Sequence, residues 1–135
     1  MVRLGFTGTQ RGTTPDQIFR YLELLVALKP SEMHHGDCIG ADDDAWSYTL
    51  IAGAAGAGSI STHCHPPTNN TKRAYTKNDV TYPPRPYLER NHDIVDACDV
   101  LVAAPGEREE QLRSGTWATV RYARKQGKVV YIIYP

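Results

Sequence analysis

The chain has 135 residues, fifteen Lys and Arg against fifteen Asp and Glu, and a formal net charge of zero. That length gives one domain, residues 1–135, able to bury a core without staples. Its charge balance argues against a protein built to grip duplex DNA along its length, which would carry a basic excess, and favours a small ligand or a local nucleic-acid contact.

Val2, Leu4 and Phe6 alternate with Arg3 and Gly5, the pattern of a first strand. The loop from Thr7 to Thr13 follows, and Thr14-Pro-Asp-Gln17 has the form of a capping box with Pro15 at the first helical position. Ile18, Tyr21, Leu22, Leu25 and Leu28 share one face of the ensuing helix, which Pro30 ends. Glu32 to His35 reads as a short second strand, Gly36-Asp-Cys-Ile-Gly40 as a turn, and Ala41 to about Ala54 as a helix. Asp42, Asp43 and Asp44 suit the positive end of that helix.

Ser59 to His65 is the third strand. Residues 68–86 form a long polar loop rich in proline, with Lys72, Arg73, Lys77 and Arg85, of the kind that tends to be functional or mobile. Tyr87 to about Ala97 is a third helix, and Asp99 to Pro105 an apolar strand. After Arg113-Ser-Gly-Thr116 a helix runs to Gln126, Gly127 caps it, and Val129 to Tyr134 is the last strand.

Strand and helix alternate throughout, which implies a Rossmann-like three-layer α/β sandwich with helices on both faces of a parallel sheet. Five strands of this kind take the order 3-2-1-4-5, and ligands bind such sheets at the crevice where the order reverses. The loops 7–14, 36–42 and 105–114 then converge on one place. Each opens into a helix whose first amides suit an anion, usually a phosphate.

The loop Thr7-Gly-Thr-Gln-Arg-Gly12 matches neither the dinucleotide fingerprint nor the P-loop. Arg90-Asn91 offers a planar guanidinium for phosphate oxygens, although on the sequence alone an arginine there reads first as a surface ion pair with a neighbouring carboxylate. His34, His35, Asp37 and Cys38 end one strand, and His63, Cys64 and His65 end its neighbour. No spaced metal signature joins them, so neither a metal nor a cofactor is expected. Cys38, Cys64 and Cys98 suggest no disulfide framework. The absence of a signal-peptide pattern or an apolar run of spanning length leads to the expectation of a cytoplasmic protein without membrane contact.

Gly36-Asp-Cys-Ile-Gly-Ala-Asp42, Arg90-Asn91 and Arg113-Ser-Gly-Thr-Trp117, in that order, resemble the SLOG superfamily, across nearly the whole chain. This Rossmann-like group contains the DNA-processing protein A family, the cytokinin-activating phosphoribohydrolases and many small nucleotide-binding domains. The resemblance implies a nucleotide or nucleotide-derived ligand. It places Gly40, Ala41, Asp42, Arg90, Asn91, Ser114, Gly115 and Thr116 in the site, and the converging loops add Gly8, Thr9, Gln10, Gly36, Asp37 and Pro105.

Phosphoribohydrolases of this kind carry Pro-Gly-Gly-x-Gly-Thr-x-x-Glu. Here eight residues, Glu107 to Ser114, separate Pro105-Gly106 from Gly115-Thr116, and Ala118 and Thr119 stand where the glutamate is expected. A sensor or binding module is therefore the first reading. The alternative is an N-glycosidic hydrolase of nucleoside 5'-monophosphates using Arg90, Asp42 and an acid of the Glu107, Glu109, Glu110 run, Glu110 foremost. A second alternative is handling of single-stranded DNA, and the resemblance leaves a homodimer open.

Overall fold

Six parallel strands form the sheet in the computed structural model, which describes residues 1–135. They are β1 (Arg3–Gly8), β2 (Glu32–His35), β3 (Ser61–Cys64), β4 (Val80–Thr81), β5 (Val100–Ala104) and β6 (Val129–Ile132). The helices are α1 (Pro15–Leu28), α2 (Ala41–Ala52), α3 (Tyr87–Ala97) and α4 (Gly115–Lys125). The strand order is β4-β3-β2-β1-β5-β6, so the reversal falls between β1 and β5.

Five of these strands follow the expected order, and the sixth, β4, is an addition to it. Val80 and Thr81 pair with His63 and Cys64 at the outer edge of β3. Just before them, the Asp79 carboxylate accepts the Thr62 N–H at 2.9 Å, which fixes the register of the pair. A two-residue strand carries no periodicity, so a tertiary anchor creates it rather than a local pattern.

Alternation along β5 sorts the core into two layers. Val100, Val102 and Ala104 join Leu4, Phe6 and Met33 under Tyr21 and Leu25 of α1 and Ala41 and Ala45 of α2. Leu101 and Ala103 face the other way, against Val95 of α3 and Trp117, Val120 and Ala123 of α4. Each fully buried Leu or Phe contributes about 2 kcal/mol by leaving water.

The start of α1 also fastens the carboxyl edge of the sheet. Thr14 Oγ1 accepts the Gln17 N–H at 3.2 Å, and Gln17 Oε1 accepts the Thr14 N–H at 2.9 Å, closing the capping box. The same Gln17 is fully buried, and its Nε2 donates to the carbonyls of Pro105 at 2.8 Å and Ile133 at 2.9 Å. No helix of the chain is long and apolar enough to cross a membrane.

The 68–86 segment is stitched to the sheet. Asp37 accepts the Thr76 N–H at 2.9 Å and the Arg73 Nε–H at 2.7 Å, and the Trp46 indole donates to the Lys77 carbonyl at 3.0 Å. Burial pushes the Asp37 carboxyl up, but its Thr76 and Arg73 hydrogen bonds outweigh burial and hold it below its ordinary value. A depressed folded pKa means stability that is present above the unfolded value of about 3.9 and lost as pH falls through the folded one. Asp37→Asn is therefore expected to lower the urea midpoint at pH 7, with the gap to the native chain narrowing below about pH 4. Parallel midpoint-versus-pH curves for the two proteins would assign the acid sensitivity elsewhere.

Candidate functional site at the carboxyl edge of the sheet

A cleft of about 610 Å³ opens at the carboxyl edge, over the reversal between β1 and β5. Its walls are the loops after β1 and β5, and its floor is the start of α2 with Arg90 of α3. The first wall is held from both sides. Thr9 donates its N–H to the Ala104 carbonyl at 3.0 Å, and its own carbonyl accepts the Ala41 N–H at 2.9 Å. Gly40, at φ 89°, lies so close that a Cβ there would sit 2.7 Å from the Thr9 carbonyl oxygen. Across the mouth, the Arg11 guanidinium meets Glu107 at 2.7 Å, joining the two walls.

The floor is polar and buried. Asp42 Oδ2 accepts the N–H groups of Gly36 at 3.1 Å and Cys38 at 3.3 Å, so the first turn of α2 carries its own anion. Burial raises the Asp42 carboxyl above its ordinary value, against the pull of Arg90 and His35. Asp42 gives this end of the cleft an acceptor, suited to a donor such as a hydroxyl or an amine, beside the Arg90 guanidinium.

Arg90 is 5% exposed, and braces the sheet edge where a surface ion pair was the simple expectation. Its Nη1 donates to the carbonyls of Gly36 and, at 3.1 Å, of His65. Its Nε donates to Asn91 Oδ1 at 2.8 Å, and Nη2 points at Cys38 Sγ, 3.6 Å away. The guanidinium lies over the Tyr87 ring, 5.2 Å from its centre. Nη2 is the edge that remains for a ligand.

The opposite end of the cleft has free donors. Ser114 Oγ caps α4 by accepting the Trp117 N–H at 3.2 Å. The amides of Gly115 and Thr116, which precede it in the first turn, have no intrahelical partner and border the cleft. Arg113 and Arg11 stand beside them. The cleft is thus polarised, donating at α4 and accepting at Asp42.

Of the residues expected at the site, Gly8, Thr9, Gln10, Asp42, Arg90, Asn91, Ser114, Gly115 and Thr116 line the cleft. Gly36, Asp37, Gly40, Ala41, Pro105 and Glu110 do not. Gly36 sits behind Asp42 and Arg90, where a Cβ would meet Arg90 Cζ at 2.7 Å. Asp37 takes a left-handed conformation, φ 55°, and turns its carboxylate to the 68–86 segment. Gly40 and Ala41 contact the back of the first wall, and the Pro105 carbonyl is taken by Gln17.

Glu110 pairs with Arg121 at 2.7 Å on the surface, and Glu107 is the acid of that run that reaches the cleft. Tyr87, Arg11 and Cys38 also line it, without a role in the sequence reading. Tyr87 carries a usable signal, since it stands three residues before Arg90 on the same helical face.

No protein-family model and no curated protein matches the chain. Solved structures do. A molybdenum cofactor binding protein from Rippkaea orientalis superposes with a TM-score of 0.69 at 22% identity, over 99% of this chain and 77% of its own. DNA processing protein A from Streptococcus pneumoniae gives 0.65 at 19% identity, over 98% of this chain and 50% of its own. The structural-genomics target TM1055 gives 0.62 at 21% identity, over 96% of this chain and 72% of its own. The chain therefore has the Rossmann-like α/β fold of these proteins, the fold that the SLOG resemblance implies.

Proposed function

We propose that the chain binds a nucleotide or nucleotide-derived ligand, as a sensor or binding module, in the cleft between β1 and β5. The carrying observation is the polarity of that cleft: unpartnered amides of Gly115 and Thr116 at one end, and the buried Asp42 carboxylate at the other. A phosphate is stabilised on the first turn of α4 by the amides and the helix dipole, with Arg113 beside it. Asp42 then accepts from a hydroxyl or amine of the ribose or base. The reversal point of the sheet is where such folds place ligands, and the structural neighbours, a cofactor binder and a DNA-processing protein, accord with that use.

The hydrolase alternative needs an acid free to give up or take a proton. Two carboxyls border the cleft and both are engaged: Arg11 holds one Glu107 oxygen at 2.7 Å and the Trp117 indole the other at 3.3 Å, while Asp42 Oδ2 accepts the Gly36 and Cys38 N–H groups. Binding without turnover is the reading that this geometry favours.

Gly115→Pro tests it. Proline suits the first helical position, and Ser114 before it already has the extended backbone that a proline requires, φ −89° and ψ 129°. The substitution removes one free amide and leaves the helix in place. Titration calorimetry with a panel of nucleoside monophosphates is expected to show saturable binding to the native chain. Affinity should fall about tenfold in Gly115→Pro, the worth of one hydrogen bond to a charged group. Chromatography of the same mixtures should show no free base. Equal affinity in the two proteins would remove the phosphate from α4, and released base would make the protein a hydrolase.

A further inference from the structure

On the sheet face opposite Met33, away from the cleft, three side chains converge from β2 and β3. Glu32 and His34 are two residues apart on β2, so they share that face. His63 of β3 lies directly beside His34 in the register. Glu32 Oε1 is 2.8 Å from His34 Nε2 and 3.8 Å from His63 Nε2, and one ligand atom from each of the three residues falls within 4.8 Å of the other two. We infer that Glu32, His34 and His63 form a binding site for a divalent transition-metal ion of the zinc class.

The donor set is two imidazole nitrogens and one carboxylate oxygen, a combination that such ions favour. A tetrahedral ion with bonds of about 2.0–2.1 Å holds its ligand atoms about 3.3 Å apart. The two separations from Glu32 Oε1, 2.8 Å and 3.8 Å, bracket that value, and the two imidazole nitrogens lie within 4.8 Å of each other, so side-chain rotation brings the three ligand atoms to one ion.

The surroundings of the two imidazoles are a second, independent observation. Metal-ligating histidines engage their other ring nitrogen with a partner that orients the ring. Here both do. His34 Nδ1 is 2.9 Å from His65 Nε2, and His63 Nδ1 is 3.1 Å from the Tyr82 hydroxyl. The His34 and His63 rings stack with centroids 4.4 Å and planes 28° apart, and Ser61 Oγ lies 3.0 Å from His63 Nε2, so an ion enters only as one imidazole turns out of the stack and His63 releases Ser61.

Three protein ligands leave at least one coordination position. Glu32, about one-third exposed, gives solvent access to it. The sequence places His34 and His63 on neighbouring strands without a spaced motif, and it hides Glu32, which lies at the far end of β2 from the glycine turn.

The test uses the full chain after chelator treatment, with Zn²⁺ measured by competition against a chromophoric chelator and Co²⁺ as the spectroscopic probe. One Zn²⁺ per chain is expected, with the intense visible absorption of four-coordinate Co²⁺ and no thiolate charge-transfer band. Glu32→Gln keeps the size of a partly exposed side chain and removes the anionic ligand, and is expected to weaken Zn²⁺ binding at least tenfold. Tyr82→Phe, which removes only the partner of His63, is expected to weaken it about tenfold. Failure of the native chain to take up one Zn²⁺, unchanged affinity in Glu32→Gln, or a thiolate band pointing to Cys38, Cys64 or Cys98 would each overturn the proposal. None of these outcomes bears on the nucleotide cleft.

Discussion

Arg90→Ala is expected to cost this fold about 3 kcal/mol, more than an exchange of a ligand-contacting arginine would. The guanidinium is the hydrogen-bond donor for the Gly36 and His65 carbonyls, and both residues are buried. Each stranded acceptor costs about 1–3 kcal/mol. The buried Asp42 carboxylate loses the cation nearest to it as well. For a domain of this size the loss corresponds to a fall in Tm of roughly 10 °C.

Arg90→Lys keeps the charge but cannot span two carbonyls and Asn91 at once, so it should recover less than half of the loss. Urea unfolding at an unchanged m-value measures both. A loss below about 1 kcal/mol for Arg90→Ala would mean that water replaces the brace easily. The arginine would then be held for a ligand instead. The distinction matters for any binding assay, because a destabilised Arg90→Ala protein loses affinity whether or not the residue touches the ligand.

Gly40→Ala carries the second large effect, again about 3 kcal/mol or more. At φ 89° and ψ −129° Gly40 occupies a conformation that L side chains rarely adopt. A Cβ would also run into the backbone of Gln10 and the Thr9 carbonyl oxygen. The atoms it meets are backbone, which has nowhere to retreat without pulling Thr9 away from Ala104 and Ala41. Stability and ligand affinity should therefore fall together, as seen by thermal melting and calorimetry. Gly115→Ala is the matched control, since its Cβ meets nothing within 4 Å, and it should melt within a degree or two of the native chain. Equal melting temperatures for the two variants would show that the first wall is loose.

The layout of the sheet was legible because its signals are local. The capping box at Thr14–Gln17, the alternation of β1 and the small-residue turn before α4 each announce an element without reference to the rest of the chain. Their succession then dictates a parallel order that reverses beside β1. What stayed hidden depends on partners distant in sequence. Asp37 sits in a glycine turn that suits a ligand, yet Arg73 and Thr76 claim its carboxylate from 36 and 39 residues away. Glu107 and Glu110 belong to one acidic run, and only the path of the loop decides that one meets Arg11 and the other Arg121. Gln17 reads as a helix cap, and nothing local says that its amide also holds Pro105 and Ile133.

The two-residue strand β4 has a consequence for self-recruitment. A sheet edge with a long row of unpaired amides and carbonyls is a template on which another chain can add a strand. Here the β3 side of the sheet ends in Val80 and Thr81, followed by Tyr82, Pro83 and Pro84, and prolines have no amide to offer. Arg85 then turns its own N–H and carbonyl back to Pro66 and Thr68. An incoming strand finds hardly one residue's worth of ladder before the row stops, so this edge closes the sheet against growth.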